Sequence, residues 1–238
     1  MLQAPHILDR QLGVIGGDRD GLVALEARLE AFVAALADDP VDESDERGAT
    51  REYVRRLAAA DLLSLVVPAE YGGAHDQPQS TPICIARQWL ARASGALDTA
   101  FVMQGLGSYP VSQAGTPELR AELLPRVARG ERICAFALTE PEAGSDVSGM
   151  QTRAEPDGDG VRLHGIKCFI SNAGIADSYV VFAREATDGD DGKPRYGAFW
   201  IPGDAKGLSV EPIKVIAPHP IGTLRLADVE VVLVITFT

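Results

Sequence analysis

The spacing of apolar residues changes near Arg132, and this change constrains the fold more than any other feature of the sequence. Before it, apolar side chains recur every three or four residues, as from Leu22 to Leu36, which is typical of amphipathic helices. After it, short apolar runs are separated by Gly, Asp and Pro, with no helical segment between them. We therefore predict an α+β chain with an all-α helical domain over residues 1–131 and a β-domain over residues 132–238.

Start signals divide the first half into five predicted helices. The predicted starts lie at Gly21, after Thr50, and at the pairs Thr81-Pro82, Asp98-Thr99 and Thr116-Pro117. The fourth helix is expected to be interrupted near Gly105, Gly107 and Pro110, because glycine and proline weaken helix interiors. The acidic run over residues 38–46 is interpreted as a solvated linker between the first two helices.

Short strands are predicted throughout the second half. They lie at Ile133–Leu138, Val161–His164, Lys167–Ser171, Tyr179–Ala183, Gly197–Ile201, Leu208–Glu211 and from Thr223 onward. Because no helices intervene, we expect an antiparallel β-sandwich or barrel and not a parallel Rossmann sheet. No Gly-x-Gly-x-x-Gly segment lies between a strand and a helix, which excludes a nicotinamide-binding site of that kind.

Charge and composition exclude several classes of function. The net charge of −12 argues against binding to nucleic acid, and no concentrated basic patch suits an anionic membrane. No secretion signal or transmembrane-length apolar run is present, so we expect a soluble cytoplasmic protein. The three cysteines, Cys84, Cys134 and Cys168, lie in apolar runs without CxxC spacing and fit reduced core thiols. The isolated histidines predict no zinc site.

Two segments of the second half combine a short apolar strand with a polar loop. The first runs from Cys134 to Asp146, where Pro141 ends the strand and Gly144 is expected to turn the chain with a positive φ. In the second, strand alternation places Phe169 and Ser171 on one face. Together the segments predict a pocket with an aromatic wall and hydroxyl donors, suited to a polar ring or a phosphate.

These residues carry a resemblance to a known family. The run Ala-Leu-Thr-Glu-Pro-Glu-Ala-Gly-Ser-Asp at 137–146, followed by Gly165-x-Lys-x-Phe-Ile-Ser-Asn172, resembles the flavin-binding middle domain of the acyl-CoA dehydrogenase family. The Pro-x-Glu-Tyr-Gly-Gly turn at Pro68–Gly73 resembles a turn of the family's first domain. The resemblance implies an FAD cofactor, an acyl-CoA substrate and an electron-transfer flavoprotein or similar electron acceptor. It also allows a homo-oligomer.

By this resemblance, eight residues bind the cofactor. They are Phe136, Leu138, Thr139, Gly144, Ser145, Phe169, Ile170 and Ser171. The backbone from Phe136 to Thr139 and the Thr139 hydroxyl would bind the pyrimidine edge of the flavin. Phe169 would pack near the ring and Ser171 would reach towards N5 and O4, while Gly144 and Ser145 would approach the pyrophosphate and the acyl-CoA.

Some positions depart from the family pattern or have no assigned role. Tryptophan and threonine are frequent in the family at the positions of Phe169 and Ser171, and both replacements keep the class of group. Glu140 and Glu142 are interpreted as charged loop residues and not as catalytic acids.

The implied reaction is α,β-dehydrogenation of an acyl-CoA thioester, in which a carboxylate removes the α-proton and hydride passes to flavin N5. In the family that carboxylate belongs to a C-terminal helical domain, which these 238 residues lack. The sequence instead continues from Val232 to Thr238, an uncharged, β-prone stretch that is a candidate aggregating edge. We therefore expect a truncated member with no catalytic residue in this chain and negligible turnover.

Two alternatives stay open at the level of sequence. One is a flavin-dependent monooxygenase or oxidase on the same scaffold. The other is a non-catalytic fragment, or a subunit of a split enzyme whose partner provides the base.

Overall fold

The computed structural model describes residues 19–158, 160–187, 193–216, 219–231 and 233–235. Its helical part contains α1 (Arg19–Asp38), α2 (Glu46–Ala59), α3 (Ser80–Ala93), α4 (Gly95–Ala114) and α5 (Pro117–Ala128). Each helix contributes a fully buried apolar side chain to one shared core, namely Leu29, Leu57, Leu90, Phe101 and Leu124. The predicted all-helical first part is therefore confirmed, and its core is continuous with that of the strands.

Helix α4 differs most from its prediction. It begins at Gly95, because the Ser94 hydroxyl accepts hydrogen bonds from the Ala96 and Leu97 amides at 3.1 and 3.3 Å. The predicted interruption is also wrong, since the helix continues through Pro110 to Ala114. Packing explains this continuity, because a Cβ at Gly107 would lie only 2.6 Å from the Cβ of Cys134.

A buried glutamine joins helix α4 to the first strand. Gln104 is fully buried, and its Nε2 donates to the Arg132 carbonyl oxygen at 2.6 Å. Its Oε1 accepts from the Cys134 amide at 3.1 Å. The oxygen and the nitrogen of this one side-chain amide are thus both hydrogen-bonded to the backbone at the start of β1. These bonds hold α4 against the β-region.

The acidic linker before α2 is anchored and not merely solvated. The Glu43 carboxylate accepts a hydrogen bond from the Tyr53 hydroxyl at 2.6 Å and another from the Ser94 hydroxyl. Burial and the bond to Glu43 raise the pKa of Tyr53 to about 12. Asp45 then caps α2 by accepting from the Arg47 amide at 3.2 Å, so this helix begins at Glu46, five residues earlier than predicted.

The described strands form one curled, mixed sheet. They are β1 (Cys134–Ala137), β2 (Arg153–Asp157), β3 (Gly160–Ser171), β4 (Ser178–Glu185), β5 (Tyr196–Pro202), β6 (Leu208–Pro212), β7 (Ile221–Val231) and β8 (Leu233–Ile235). Their order is β6-β7-β3-β2-β4-β5-β8, with β1 also paired to β4. A helical part followed by a β-part is confirmed.

The expectation that the strands pair only in antiparallel fashion is corrected, because the sheet is mixed. β1 runs parallel to β4, with Cys134 opposite Ser178, and β2 pairs with β4 in parallel through Arg153 and Arg184. Parallel neighbours need a long connection, and here the chain between β1 and β4 forms β2 and β3. Hairpin turns in a sequence predict only antiparallel pairing of neighbouring strands, so they give no indication of the two parallel pairs.

Two predicted strands merge into the single strand β3. Gly165 lies at the junction, where a Cβ would be 2.4 Å from the Thr152 hydroxyl oxygen. Glycine therefore lets the strand pass Thr152 without a break.

At the other end of the chain, Leu233–Ile235 pairs with β5 as strand β8 at the end of the strand order. The other residues of the predicted edge, 232 and 236–238, lie outside the described residues.

Three further observations bear on the composition-based expectations. Cys134 and Cys168 are buried, whereas Cys84 lies exposed on α3, so the prediction of a core thiol is wrong there because Cys84 occupies the outer face of its helix. Within the described ranges, no group of three or more His, Cys, Asp or Glu could hold a metal ion. None of the helices in this part of the chain combines the length and apolar character that a membrane crossing requires.

The contact between α4 and β1 generates a prediction. We expect Gly107→Ala to lower the free energy of unfolding by about 1–3 kcal/mol, because the new methyl group overlaps Cys134 and the Ala135 amide. Urea unfolding would measure the change as a lower midpoint.

Gly95→Ala in the same helix is the matched control, since a Cβ there meets no atom within 4 Å. It should leave stability unchanged or raise it by up to about 1 kcal/mol. Equal midpoints for the two variants would contradict close packing at Gly107.

Candidate functional site

The two predicted strand–loop segments lie side by side and run in opposite directions. At one end, the Cys168 amide donates to the Thr139 carbonyl oxygen at 2.9 Å. At the other, the Asn172 side-chain Nδ2 donates to the Cys134 carbonyl oxygen at 2.9 Å. The fold thus brings together residues that are 29 and 38 positions apart in the sequence, as the prediction of one shared pocket requires.

A buried ion pair connects the ends of these segments. Lys167 is fully buried, and its Nζ donates to the Glu140 Oε1 at 2.7 Å and to the Leu138 carbonyl oxygen at 3.0 Å. Glu140, 4% exposed, also accepts from the Gln151 amide at 2.6 Å and the Thr152 amide at 3.0 Å. The carboxylate is therefore satisfied by β3 and by the segment that leads into β2.

Both glutamates lie on the loop after β1, as interpreted from the sequence, but Glu140 is buried in an ion pair whereas Glu142 is exposed. Burial alone would raise the pKa of Glu140, but the hydrogen bonds from Lys167 and the two amides outweigh it and lower the pKa. Glu140 is thus a carboxylate with both oxygens engaged. No local signal in the sequence identifies its partner, which lies 27 residues away.

The loop after β1 turns before Gly144, not at it. Glu140 and Ala143 exchange two backbone hydrogen bonds, of 3.0 and 3.3 Å, which complete the reversal one residue earlier. Gly144 therefore needs no positive φ, and that expectation is wrong. A Cβ on Gly144 would meet nothing within 4 Å, so this backbone faces open space.

The same loop presents exposed hydrogen-bond donors. The amides of Gly144 and Ser145 and the Ser145 hydroxyl donate to no other described residue. Beyond them the chain is held, because Asp146 accepts from the Ser148 amide at 3.0 Å and the Tyr196 hydroxyl donates to the Ser148 carbonyl oxygen at 2.9 Å. Consecutive exposed amides on an anchored loop are suited to phosphate oxygens.

The second segment exposes an aromatic ring. Phe169 is 62% exposed, whereas Ile170 beside it is buried and Ser171 is half-buried. Phe169 and Ser171 therefore both lie outside the core, as the predicted alternation requires. The strand is not regular here, because its pairing with β7 shifts register between Lys167 and Ile170 and Phe169 has a φ of 56°. The Ile170 side chain lies in the core, so only its backbone can contact a ligand.

A positive φ is uncommon for a bulky residue and costs on the order of 1–3 kcal/mol. Lys167, two residues earlier, is fixed by its ion pair, and the Cys168 amide is fixed by Thr139. These contacts hold the strained backbone that turns the Phe169 ring outward.

The end of β1 carries the remaining predicted residues. Thr139 is half-buried, and its amide and hydroxyl donate to no other described residue. The Leu138 and Thr139 carbonyl oxygens are engaged by Lys167 and Cys168. The half-buried Phe136 packs its ring against Phe182, with centroids 4.9 Å apart.

One neighbour of this group has no local signal in the sequence. The Ser171 hydroxyl oxygen lies 3.2 Å from the Nε2 of His219, which had been interpreted as an isolated histidine. The two residues are 48 positions apart, so only strand pairing brings them together.

The donor set fits a planar polar ring with a phosphate tail. Hydroxyls at Thr139 and Ser171 and the exposed Phe169 ring match the ring, and the open amides at Gly144 and Ser145 match the phosphates. These groups lie on the loop that follows β1 and on the last residues of β3, two segments that the buried ion pair joins.

Family models and curated relatives match most of the chain. Residues 21–131 match the N-terminal domain model of acyl-CoA dehydrogenases, and residues 135–229 match their middle domain model. Cyclohexane-1-carbonyl-CoA dehydrogenase of Geobacter metallireducens is 37% identical over 188 residues, which cover 79% of this chain and 47% of that protein. The chain thus spans about half the length of the curated relatives it matches.

Solved structures agree with this similarity. Acyl-CoA dehydrogenase complexed with FAD from Bacillus anthracis has a TM-score of 0.71 and 28% identity, covering 89% of this chain and 37% of that one. Butyryl-CoA dehydrogenase from Megasphaera elsdenii has a TM-score of 0.77 and 26% identity, covering 93% and 60%.

The ion pair gives a prediction about stability and pH. We expect Glu140→Gln to cost about 3–5 kcal/mol of unfolding free energy, because it leaves the buried Lys167 ammonium without its counter-charge. The folded-state pKa of Glu140 is lowered, so its stabilisation is present above the ordinary value of 4.5 and is lost as pH falls through the lowered value. Urea unfolding between neutral and acidic pH would measure both effects.

Glu142→Gln, on the same loop but exposed, is the matched control and should change stability by no more than about 0.5 kcal/mol. A Glu140→Gln variant that unfolds at the wild-type midpoint would contradict the ion pair's role.

Proposed function

Since the chain belongs to the acyl-CoA dehydrogenase family, we propose that it forms the FAD-binding part of an enzyme that dehydrogenates an acyl-CoA thioester. The observation that carries this proposal is the set of unengaged donors and the exposed aromatic ring on two adjacent segments. A boundary between a helical domain, residues 1–131, and a flavin-binding β-domain, residues 132–238, is part of the proposal.

The end of β1 would bind the pyrimidine edge of the flavin ring. The Thr139 amide and hydroxyl are half-buried donors without a described partner, which supports this role. The backbone of Phe136 and Leu138 would line the same edge. Because the Leu138 carbonyl oxygen accepts a hydrogen bond from Lys167, this backbone is already fixed before a ligand binds.

The outward turn of β3 would contact the ring itself. The 62% exposed Phe169 offers an aromatic face for packing, and the Ser171 hydroxyl offers a hydrogen bond towards N5 and O4. Ile170 would contribute through its backbone, since its side chain is in the core. The loop at Gly144 and Ser145 would bind the pyrophosphate, and Ser145 would also contact the acyl-CoA.

When bound, the flavin supplies the hydride acceptor. The proton at the α-carbon needs a separate base, and we propose that none of the described residues provides it. Glu140, the buried carboxylate of the site, is engaged by three donors and holds a lowered pKa. An electron-transfer flavoprotein or a similar acceptor would reoxidise the flavin.

The first test is FAD retention by the 238-residue chain after desalting, followed by visible spectroscopy. We expect a yellow chain whose flavin is not bleached by anaerobic addition of acyl-CoA thioesters. A colourless chain would contradict the proposed flavin site. Bleaching by an acyl-CoA would contradict the proposal that the described residues lack the base.

A substitution at Thr139 tests the site itself. Thr139→Val removes the unengaged hydroxyl, and we expect FAD affinity to fall up to about tenfold, the value of one hydrogen bond. Fluorescence quenching of FAD during titration would measure the dissociation constant.

Thr99→Val is the matched control, because the Thr99 hydroxyl is exposed on α4 and bonds only the Gly95 carbonyl oxygen among described residues. It should leave FAD affinity unchanged. An equal loss in both variants would remove the role proposed for Thr139.

A further inference from the structure

His219 lies beside one of the proposed flavin-binding groups without belonging to the motifs that indicated the site. Its Nε2 is 3.2 Å from the Ser171 hydroxyl oxygen. Both side chains are half-buried, at the point where β3 ends and the chain approaches β7.

Backbone hydrogen bonds fix the position of His219. The Asn172 amide donates to the Pro220 carbonyl oxygen at 2.7 Å, one residue from each partner of the contact. Ser171 pairs with Ile221 in the ladder between β3 and β7, and the Ile213 amide donates to the Ile221 carbonyl oxygen at 2.9 Å. These bonds hold the backbone that follows His219 beside Ser171, and the imidazole contacts the serine hydroxyl from there.

The chemistry of the pair makes the direction of this hydrogen bond important. A serine hydroxyl has one proton and can accept as well as donate. If Nε2 carries a proton and donates to Ser171, the serine proton is available for another acceptor. If Nε2 accepts, the serine proton is directed to the histidine.

The side-chain rotamer of a serine depends on neighbouring contacts more than that of a β-branched residue does. Its χ1 has three accessible rotamers, whereas threonine and valine are stiffer at this angle. A fixed imidazole at 3.2 Å favours the rotamer that keeps Oγ within hydrogen-bond distance.

We propose that His219 is a positioning residue that donates from Nε2 to Ser171 and so directs the serine hydroxyl proton towards the flavin ring. This inference rests on the proposed flavin site. His219 acts through Ser171, and its effect on the cofactor requires that hydroxyl.

A double-mutant cycle on the 238-residue chain tests this dependence. His219→Ala should weaken FAD binding about three- to tenfold, and His219→Gln, which keeps an N–H donor, should restore most of the loss. In a Ser171→Ala background, His219→Ala should have no further effect. Fluorescence titration gives the dissociation constants, and urea unfolding verifies that each variant folds.

The outcomes separate positioning from a structural role. If His219→Ala weakens FAD binding equally with and without the Ser171 hydroxyl, or if His219→Gln gives no rescue, the inference is overturned. Wild-type FAD affinity in the His219→Ala variant overturns it as well.

A measurement without flavin distinguishes failure of this inference from failure of the proposed function. Nitrogen NMR of the histidine side chains in the flavin-free chain should show a protonated Nε2 at His219 and a changed shift in Ser171→Ala. An Nε2 without a proton overturns the proposed direction of the hydrogen bond, and no change on removing the hydroxyl overturns the bond itself. The expected NMR result in a chain that takes up no FAD would instead reject the flavin site, and with it the role towards the flavin.

Discussion

The buried pair of Lys167 and Glu140 is the interaction on which the rest of the β-region depends. Two opposite charges without solvent contact are tolerated only when each is satisfied, and here the carboxylate receives three donors and the ammonium two acceptors. Moving β1 or β3 would separate the two charges, and moving the segment before β2 would remove two hydrogen bonds from the buried carboxylate. The pair therefore fixes the loop that carries Gly144 relative to the strand that carries Phe169.

Helix packing extends this constraint to the first half of the chain. Gln104 is hydrogen-bonded to the backbone on both sides of Ile133, and Gly107 allows α4 to contact β1 directly. The strand whose end carries Thr139 is thus held by a helix on one side and by β4 in the sheet. Rigid support of this kind is what a binding group needs, because small displacements weaken directional hydrogen bonds.

Local patterns predicted the helices and the two strand–loop segments, because periodicity and capping residues act over a few positions. They failed where distant residues decide the outcome. Glycines and a proline predicted a break in α4, yet packing on Cys134 and capping by Ser94 maintain the helix. The sequence indicates that Glu140 is a loop charge, but in the fold it pairs with Lys167. His219 is isolated in the sequence, but the fold places it beside Ser171. The parallel pairing of β1 had no local signal at all.

The parallel contact between β1 and β4 also has a consequence for the order of folding. Cys134 and its partner Ser178 are 44 positions apart, so a large loop must close before this pairing contributes any stability. Segments with such distant partners form late, whereas the helices rely on near neighbours. The groups at the end of β1 would then be among the last parts of the chain to reach their final places, and a newly made chain would complete the candidate site only when almost all of the sheet is present.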